Sequence, residues 1–243
     1  MILRDLSSLT PDELQRVLAR CDEHTAQGLL TVLQDEIRER CAKDGLYWLR
    51  FVSTRDEADP DNPVKLFPIH LPYLGAVWQA FGERNRTIAV KSRQIMFSWL
   101  LTAFMCHWAR SKSNQAIYYQ TQKAEDADAM VALAGNVEGR CQFIESHLPE
   151  FLRVKVRPTQ GSLQYPNGSF IQALAGGADQ IRGKVASLIV QDEFAFQPEA
   201  RGVYTACAPL IQKGAKFIAV STPNGISGEF ARLWHGSEKP LMQ

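Results

Sequence analysis

The chain has 243 residues and a formal net charge of +1, from 27 Lys plus Arg against 26 Asp plus Glu. Its 45% hydrophobic and 22% charged residues are typical of a soluble intracellular protein with one large domain, or one domain with a helical appendage. The near-neutral charge argues against a basic coat for nucleic acid, but not against a local basic patch. No apolar run reaches the roughly 18 residues of a membrane span, so no membrane association is expected. The five cysteines are scattered, which argues against a disulfide framework and a zinc site.

The first part of the chain has helical patterns. Thr10 is a candidate N-cap before Pro11, and a second helix is predicted over 27–43. The stretch 53–63 contains four acidic residues and two prolines, which predicts a loop or linker. We therefore expect an N-terminal helical segment over 1–58 and a main domain over 59–243.

From about residue 85, short β-rich runs alternate with helical patterns, which is typical of an α/β protein with a mostly parallel central sheet flanked by helices. A β-hairpin around Asn167-Gly168 is expected as an insertion on this sheet, because Asn-Gly supplies the positive φ of a tight turn. The predicted strands are 87–90, 116–120, 187–190 and 216–220, and the predicted helices are 97–105 and one within 123–133.

A candidate phosphate-binding loop follows the first of these strands. Such a loop needs backbone N–H groups at a helix N-terminus, a cation for the phosphates and a hydroxyl for Mg²⁺. Lys91 and Ser98 supply the cation and the hydroxyl. The strict Walker A pattern is not met, since Met96 and Phe97 stand where its second Gly and its Lys would be. By itself the segment is equally compatible with a βα turn that carries surface charges.

Two further strands end in polar residues. Asp192 and Glu193 follow a hydrophobic strand, as in the Walker B pair of a P-loop ATPase, where the first acid holds Mg²⁺ and the second polarises the attacking water. The alternative is a solvated helix cap. Ser221-Thr222-Pro223-Asn224-Gly225 follows the last strand, and its hydroxyls could sense the γ-phosphate, although such a turn is common.

The three junctions together resemble the ATPase domain of the large terminase subunit, the genome-packaging motor of tailed bacteriophages and related viruses. The pattern K-x-R-Q-x-x-x-S, at Lys91, Arg93, Gln94 and Ser98, is similar to the deviant phosphate loop of that family, which has Gly where this chain has Met96. The resemblance implies a P-loop NTPase of the ASCE type that uses ATP and Mg²⁺. The implied ATP-binding residues of the loop are Lys91, Ser92, Arg93, Gln94, Ile95, Met96, Phe97 and Ser98.

The same resemblance assigns roles to the remaining site residues. Ser98 and Asp192 would position Mg²⁺, and Glu193 would orient the attacking water. The coupling segment would be formed by Ser221, Thr222 and Pro223.

Two further predictions lie outside these junctions. Arg182, in Ile181-Arg182-Gly183, resembles an arginine that acts on the nucleotide site of a neighbouring subunit; alternatively it is a surface residue. Tyr73 stands near the family's adenine-side aromatic and would stack on the base, or it belongs to the core.

Basic residues along the chain are candidate DNA contacts. Arg153, Lys155 and Arg157 would project to one face if this segment is a strand, and Arg140 is a further candidate. Such a row would bind phosphates without sequence preference. A solvated edge strand is the alternative.

The resemblance implies a motor that couples ATP hydrolysis to translocation of double-stranded DNA into a viral procapsid. The implied partners are the portal protein, the small terminase subunit and further copies of the chain in a homo-oligomeric ring, in the cytoplasm of the infected bacterial host. Only Glu229 and Glu238 follow Gly228 as acidic residues, so the C-terminal nuclease of the family is not expected on this chain. Alternatives are a helicase-like or remodelling ATPase that acts as a monomer, and a non-hydrolysing nucleotide-binding scaffold.

Overall fold

The computed structural model describes residues 16–236 except 18 and 94. The predicted N-cap Thr10 lies outside these residues. No helix in the described part is long and apolar enough to cross a membrane. The helices are α1 (Glu23–Lys43), α2 (Gly45–Trp48), α3 (Leu74–Glu83), α4 (Phe97–Ser111), α5 (Ala124–Val131), α6 (Arg140–Ser146), α7 (Ala200–Gln212) and α8 (Glu229–Gly236). The strands are β1 (Ser53–Arg55), β2 (Val64–Leu66), β3 (Arg86–Val90), β4 (Ala116–Gln120), β5 (Arg157–Thr159), β6 (Ser162–Gln164), β7 (Phe170–Leu174), β8 (Leu188–Gln191) and β9 (Lys216–Ser221).

A seven-stranded sheet forms the centre of the protein, in the order β3-β9-β8-β4-β7-β6-β5. Neighbouring strands from β3 to β7 are parallel, whereas β7, β6 and β5 are antiparallel. The predicted α/β class, with a mostly parallel central sheet flanked by helices, is confirmed. Because β9 lies between β3 and β8, the carboxyl ends of the three motif-bearing strands are neighbours at one edge of the sheet.

Both faces of the sheet are buried. In β9, Ile218 and Val220 belong to a hydrophobic cluster with residues of α4 and α6, whereas Phe217 and Ala219 belong to a second cluster with residues of α7 and α8. This alternation follows from the two-residue period of a strand. Helices therefore cover both faces, which explains why these strands read as continuous apolar runs.

The predicted hairpin around Asn167 is confirmed, but it is not an insertion. β6 and β7 pair antiparallel and Gly168 has φ +82°, while β7 also pairs parallel with β4 and so extends the central sheet. The Asn167 amide nitrogen donates to the carbonyls of Ala109, Arg110 and Lys112, at 2.9, 3.2 and 3.0 Å. The turn thus satisfies carbonyl groups at the C-terminus of α4 that have no partner within the helix.

The N-terminal helices pack on the sheet domain through a shared core. α1 begins at Glu23, four residues before the predicted start, because the Asp22 side chain accepts from the Thr25 N–H at 3.0 Å. Trp48, at the end of α2, is fully buried in the cluster that contains α4. The predicted loop over 53–63 begins with β1 and ends directly before β2, and these two strands pair antiparallel. The boundary near residue 58 stays a prediction.

Candidate nucleotide site

The three polar junctions predicted from the sequence meet at one edge of the sheet. Lys91 follows β3, Asp192 and Glu193 follow β8, and β9 between them ends at Ser221. The Lys91 N–H donates to the Ser221 carbonyl at 3.0 Å, which continues the β3–β9 pairing into the site. Parallel strands therefore bring together residues that are about 100 and 30 positions apart in the chain.

Lys91 is the centre of a compact polar cluster. Its ammonium nitrogen lies 3.2 Å from Asp192 Oδ1, 3.2 Å from Glu193 Oε1 and 3.3 Å from Ser98 Oγ. Lys91 and Asp192 are buried, at 8% and 5% relative exposure. Two carboxylates and a hydroxyl thus surround one ammonium group at the entry to a cavity. The ammonium group is suited to bind phosphate, and the three oxygen-bearing groups are suited to bind a cation.

The predicted phosphate loop between β3 and α4 contains a backbone conformation that is unusual for its residue. Met96, at the N-cap of α4, is left-handed with φ +59° and ψ +8°, and its carbonyl accepts the Leu100 N–H at 3.0 Å. The family that the motifs resemble has Gly at this position, and Gly adopts the left-handed conformation without strain. For a residue with a Cβ, this conformation costs about 1–2 kcal/mol. The turn into α4 is thus formed despite the missing Gly.

Asp192 is held by a buried phenol. The Tyr119 hydroxyl donates to Asp192 Oδ2 at 2.8 Å, and Tyr119 is 1% exposed at the end of β4. Burial, together with the neighbouring Asp192 carboxylate, raises the pKa of Tyr119 well above its usual value. The phenol therefore stays protonated and donates, leaving Asp192 Oδ1 for Lys91 and for the N–H of Glu193 at 2.9 Å.

Glu193 is fixed by the segment that follows β9. Its Oε2 accepts from Ser221 Oγ at 3.3 Å, from the Thr222 N–H at 3.3 Å and from Thr222 Oγ1 at 3.2 Å. Its backbone is left-handed, with φ +45°, and such strain in a non-glycine residue is concentrated at functional sites. Asn224 Nδ2 also donates to the Ala195 carbonyl at 3.0 Å, whereas Pro223 between these contacts is exposed.

A row of glutamines connects this site to the segment that carries Arg182. Gln197 Nε2 donates to the Asp192 carbonyl and to Gln191 Oε1, and Gln191 Nε2 donates to Gln120 Oε1. Gln120 Nε2 donates to the carbonyls of Ala175 and Gly177, at 2.6 and 2.9 Å. These hydrogen bonds link β4, β8 and the following turn, which gives the edge of the sheet a defined geometry; within the described residues, the buried Gln197 Oε1 has no hydrogen-bond partner.

Two cavities open on either side of Lys91, Ser98 and Glu193. The larger, of about 790 Å³, lies against the phosphate loop and the β1–β2 hairpin; the smaller, of about 460 Å³, lies against α5 and α6. The volumes fit a nucleotide-sized ligand. The larger cavity is lined by the loop residues Ser92, Arg93, Ile95, Met96, Phe97 and Ser98; Gln94 lies outside the described residues.

The structure places two sequence-predicted residues away from these cavities. The Tyr73 hydroxyl donates to the Ile95 carbonyl, and its ring stacks on Phe97 with centroids 6.5 Å apart. Tyr73 therefore supports the phosphate loop, and its contact with a base stays a prediction. Arg182 is 65% exposed and pairs with Asp179 at 2.6 Å, so its action on a neighbouring subunit also stays a prediction.

The basic segment predicted as a strand is mostly irregular. Arg153 and Lys155 precede β5, which begins only at Arg157, and the strand prediction for 153–156 is wrong because Arg153 Nε donates to the Leu148 carbonyl at 2.6 Å and the Val156 N–H to the Val154 carbonyl at 2.9 Å. Exposure nevertheless alternates as expected, with the three basic residues exposed. Their DNA contacts stay a prediction.

Sequence reasoning missed several residues of the site. Tyr119 reads as an ordinary apolar strand residue, although its position at the end of a strand beside β8 is the signal that could have found it. Arg55 lines both cavities but lies in the segment predicted as a linker. Arg140, predicted as a DNA contact, also lines both cavities.

The chemistry of the cluster fits Mg²⁺. Ser98 Oγ and Asp192 Oδ1 lie at 3.3 and 3.2 Å from the same ammonium nitrogen, so both oxygens face one point. No group of three or more His, Cys, Asp or Glu residues suited to a metal was found in the described part of the chain. Mg²⁺ in nucleotide sites commonly takes one or two protein oxygens, with phosphates and water supplying the rest.

Comparison with known proteins identifies solved structures with a similar fold. No family model matches the chain. The large terminase of bacteriophage HK97 matches 74% of this chain and 37% of its own, with a TM-score of 0.53 and 14% identity. The chain shares the fold of a phage large terminase. The resemblance predicted from the motifs is thereby confirmed at the level of the fold.

Two further solved structures are similar over a comparable part of the chain. The large terminase ATPase domain of Thermus phage P74-26 has a TM-score of 0.44 and 15% identity, over 67% of this chain and 71% of that chain. The large terminase of another thermophilic bacteriophage, in complex with ADP, has a TM-score of 0.48 and 14% identity, over 63% of this chain and 38% of that chain.

Proposed function

We propose that the chain is the ATPase motor domain of a phage terminase large subunit, which hydrolyses ATP to move double-stranded DNA into a procapsid. The observation that carries the proposal is the cluster of Lys91, Ser98, Asp192 and Glu193, whose contacts with the ammonium group are 3.2–3.3 Å. The cluster lies where three parallel strands end and two cavities open. The fold shared with the HK97 large terminase supports the same assignment.

The contacts of Lys91 suggest how a nucleotide would engage. Lys91 is paired with both carboxylates, so binding of a triphosphate requires it to exchange Asp192 and Glu193 for phosphate oxygens. Asp192 and Ser98 would then hold Mg²⁺, which supplies neutralisation of phosphate charge. Glu193, once free of the ammonium group, would accept a hydrogen bond from the attacking water and orient it.

The contacts of Glu193 suggest a coupling route. Ser221 and Thr222 bind the same carboxylate oxygen, and with Pro223 they begin the loop that leaves the sheet. A change of Glu193 partners during the ATP cycle would therefore alter the anchoring of this loop. Arg182 would complete the site of a neighbouring copy. Mixing Arg182→Ala with Glu193→Gln subunits tests this, since turnover beyond that of either variant alone requires action between subunits.

Translocation requires a ring around the DNA. Arg153, Lys155 and Arg157 are exposed, but the whole chain carries a net charge of only +1. A single copy should therefore bind DNA weakly and salt-sensitively, and useful affinity should arise when several copies surround one duplex. The portal protein and the small terminase subunit would be partners of this ring in the infected bacterial host.

The proposal is tested with Glu193→Gln, which keeps the shape of the side chain and removes its charge. We expect nucleotide binding to persist and ATP turnover to be lost, in assays of the purified chain with Mg²⁺. Glu125→Gln, on the exposed first turn of α5, is the matched control and should hydrolyse ATP at the wild-type rate. Normal turnover by Glu193→Gln would refute the catalytic assignment.

The same assays separate the alternatives. Turnover that does not depend on protein concentration would favour a helicase-like or remodelling ATPase that acts as a monomer. Nucleotide binding without hydrolysis by the wild-type chain would favour a scaffold, and the left-handed Met96 is the feature that would then account for the inactive loop.

A further inference from the structure

Arg140 lines the same cavity as the polar cluster of Lys91, Ser98, Asp192 and Glu193. It is the first residue of α6, and its guanidinium carbon is 5.0 Å from the centre of the Trp99 ring. Trp99 directly follows Ser98 in the first turn of α4. Arg140 also lines both cavities together with Lys91 and Glu193. A side chain in this position belongs to the wall of the nucleotide cavities.

The guanidinium group of Arg140 has unused donors. Within the described residues, its side chain makes no hydrogen bond or ion pair. Its guanidinium group lies over the Trp99 ring. By contrast, the partly buried Arg110 is paired with Glu145 at 3.3 Å. Guanidinium donors suit phosphate oxygens, which they bind in a planar, bidentate geometry. The contact with the Trp99 ring leaves the N–H groups of Arg140 available.

The charge balance of the cavities points to the same ligand. Lys91 is compensated by Asp192 and Glu193, so it adds little net positive charge. Arg55 lies on the same wall as Arg140, with its guanidinium carbon 4.6 Å from the Phe143 ring and no ion pair with a described residue. The larger cavity is lined by five basic and three acidic residues, whereas the smaller cavity is lined by three basic and five acidic residues. Both guanidinium groups line the larger cavity, where the excess of basic residues favours a polyanion.

We propose that Arg140 binds the terminal phosphate of a nucleoside triphosphate within its own subunit, with Arg55 as a second cation on the same wall. This inference rests on the proposed function and deepens it. It assigns Arg140 to the nucleotide instead of DNA, and it supplies a cation in cis that is independent of Arg182 from a neighbour. Discrimination of triphosphate from diphosphate follows, because only the triphosphate extends to this wall.

The test measures the affinity of the purified chain for ATPγS, for ADP and for a labelled DNA duplex, with thermal unfolding as the folding control. We expect Arg140→Ala to weaken ATPγS binding at least about tenfold, as for the loss of a charged hydrogen bond, and to leave ADP and DNA binding unchanged. Arg140→Lys should recover part of the affinity, because it restores charge without the bidentate geometry. Arg84→Ala, at an exposed arginine that lines neither cavity, is the matched control.

Each other outcome has a distinct meaning. Equal ATPγS affinities of wild type and Arg140→Ala would overturn the inference while leaving the proposed function intact. Loss of DNA binding with normal ATPγS binding would show that Arg140 contacts DNA and not the nucleotide. A parallel loss of ATPγS and ADP binding in both Arg140 variants, with a lower unfolding temperature, would show a structural role. Failure of the wild-type chain to bind either nucleotide would overturn both proposals.

Discussion

Glu193 and Thr222 are joined by two hydrogen bonds to one oxygen atom. Glu193 Oε2 accepts the backbone N–H of Thr222 at 3.3 Å and its hydroxyl at 3.2 Å. The residue proposed to orient water is thus bound directly to the segment proposed to report on the phosphate. The two motifs are 29 positions apart in the chain, and neighbouring parallel strands bring them into contact.

Thr222→Val removes the hydroxyl while keeping the shape and the N–H donor. We expect kcat for ATP to fall by about tenfold, the cost of one hydrogen bond to a charged group, with KM little changed. This split is expected because Thr222 positions Glu193 and does not contact the nucleotide. Thr205→Val is the control, because the Thr205 hydroxyl donates to the Arg201 carbonyl within α7. Equal kcat values for the two variants would contradict the role of Thr222.

Tyr119→Phe removes the phenol donor from Asp192 Oδ2. Groups that orient a metal ligand typically contribute about 10–100-fold to metal affinity, so the Mg²⁺ concentration for half-maximal binding of a fluorescent nucleotide should rise about tenfold. Tyr118→Phe is the matched control, because Tyr118 lies on the opposite face of β4, with its ring against Phe170. An unchanged Mg²⁺ titration for Tyr119→Phe would show that Tyr119 does not position Asp192 for the metal.

Substitutions at Met96 test the left-handed turn into α4. Gly adopts φ near +59° without strain, whereas a β-branched residue is strongly disfavoured there. We therefore expect Met96→Gly to bind nucleotide within a few-fold of wild type, and Met96→Val to have a lower unfolding temperature and weaker nucleotide binding than wild type, because a β-branched residue is disfavoured beyond the cost that Met already has. Nucleotide titration and thermal unfolding measure both. A Val variant that behaves like wild type would show that the loop does not need this conformation.

His107 should make stability depend on pH. Burial lowers its pKa from 6.5 to about 4, while its Nε2 lies 2.8 Å from the Cys41 carbonyl and its ring packs on Trp48 and Trp78. Because the folded pKa is below the unfolded one, the unfolded chain binds more protons between these values. Stability from this group is complete above pH 6.5 and falls as pH decreases towards 4, by roughly 3 kcal/mol in total.

The measurement is the free energy of unfolding from denaturant titrations at about pH 7 and pH 4, compared with that of His107→Gln. Gln keeps an amide donor and does not titrate, so wild type should lose roughly 3 kcal/mol more than the variant across this range. His24→Gln, exposed on α1, should behave like wild type. Identical pH dependence of wild type and His107→Gln would exclude this explanation.

Much of the candidate site was predictable because its residues follow strands with strong local signals. Lys91, Asp192 and Ser221 each follow an apolar run, and parallel strands place their carboxyl ends at one edge. Tyr119 and Arg55 gave no such signal, since a buried Tyr reads as core and an Arg in a polar stretch reads as surface. Only the tertiary packing of β4 and β1 brings these side chains to the cavities.

The sequence by itself determined the α/β class, the strands that carry the motifs and the chemical identity of the cluster around Lys91, because periodicity and turn residues act over short distances. The tertiary structure decided the strand order, the incorporation of β7 into the sheet and the left-handed conformation of Met96. It also placed Arg140, predicted as a DNA contact, in the lining of the two cavities beside Lys91. These features depend on packing between segments far apart in the chain, and local patterns contain no information about which segments become neighbours.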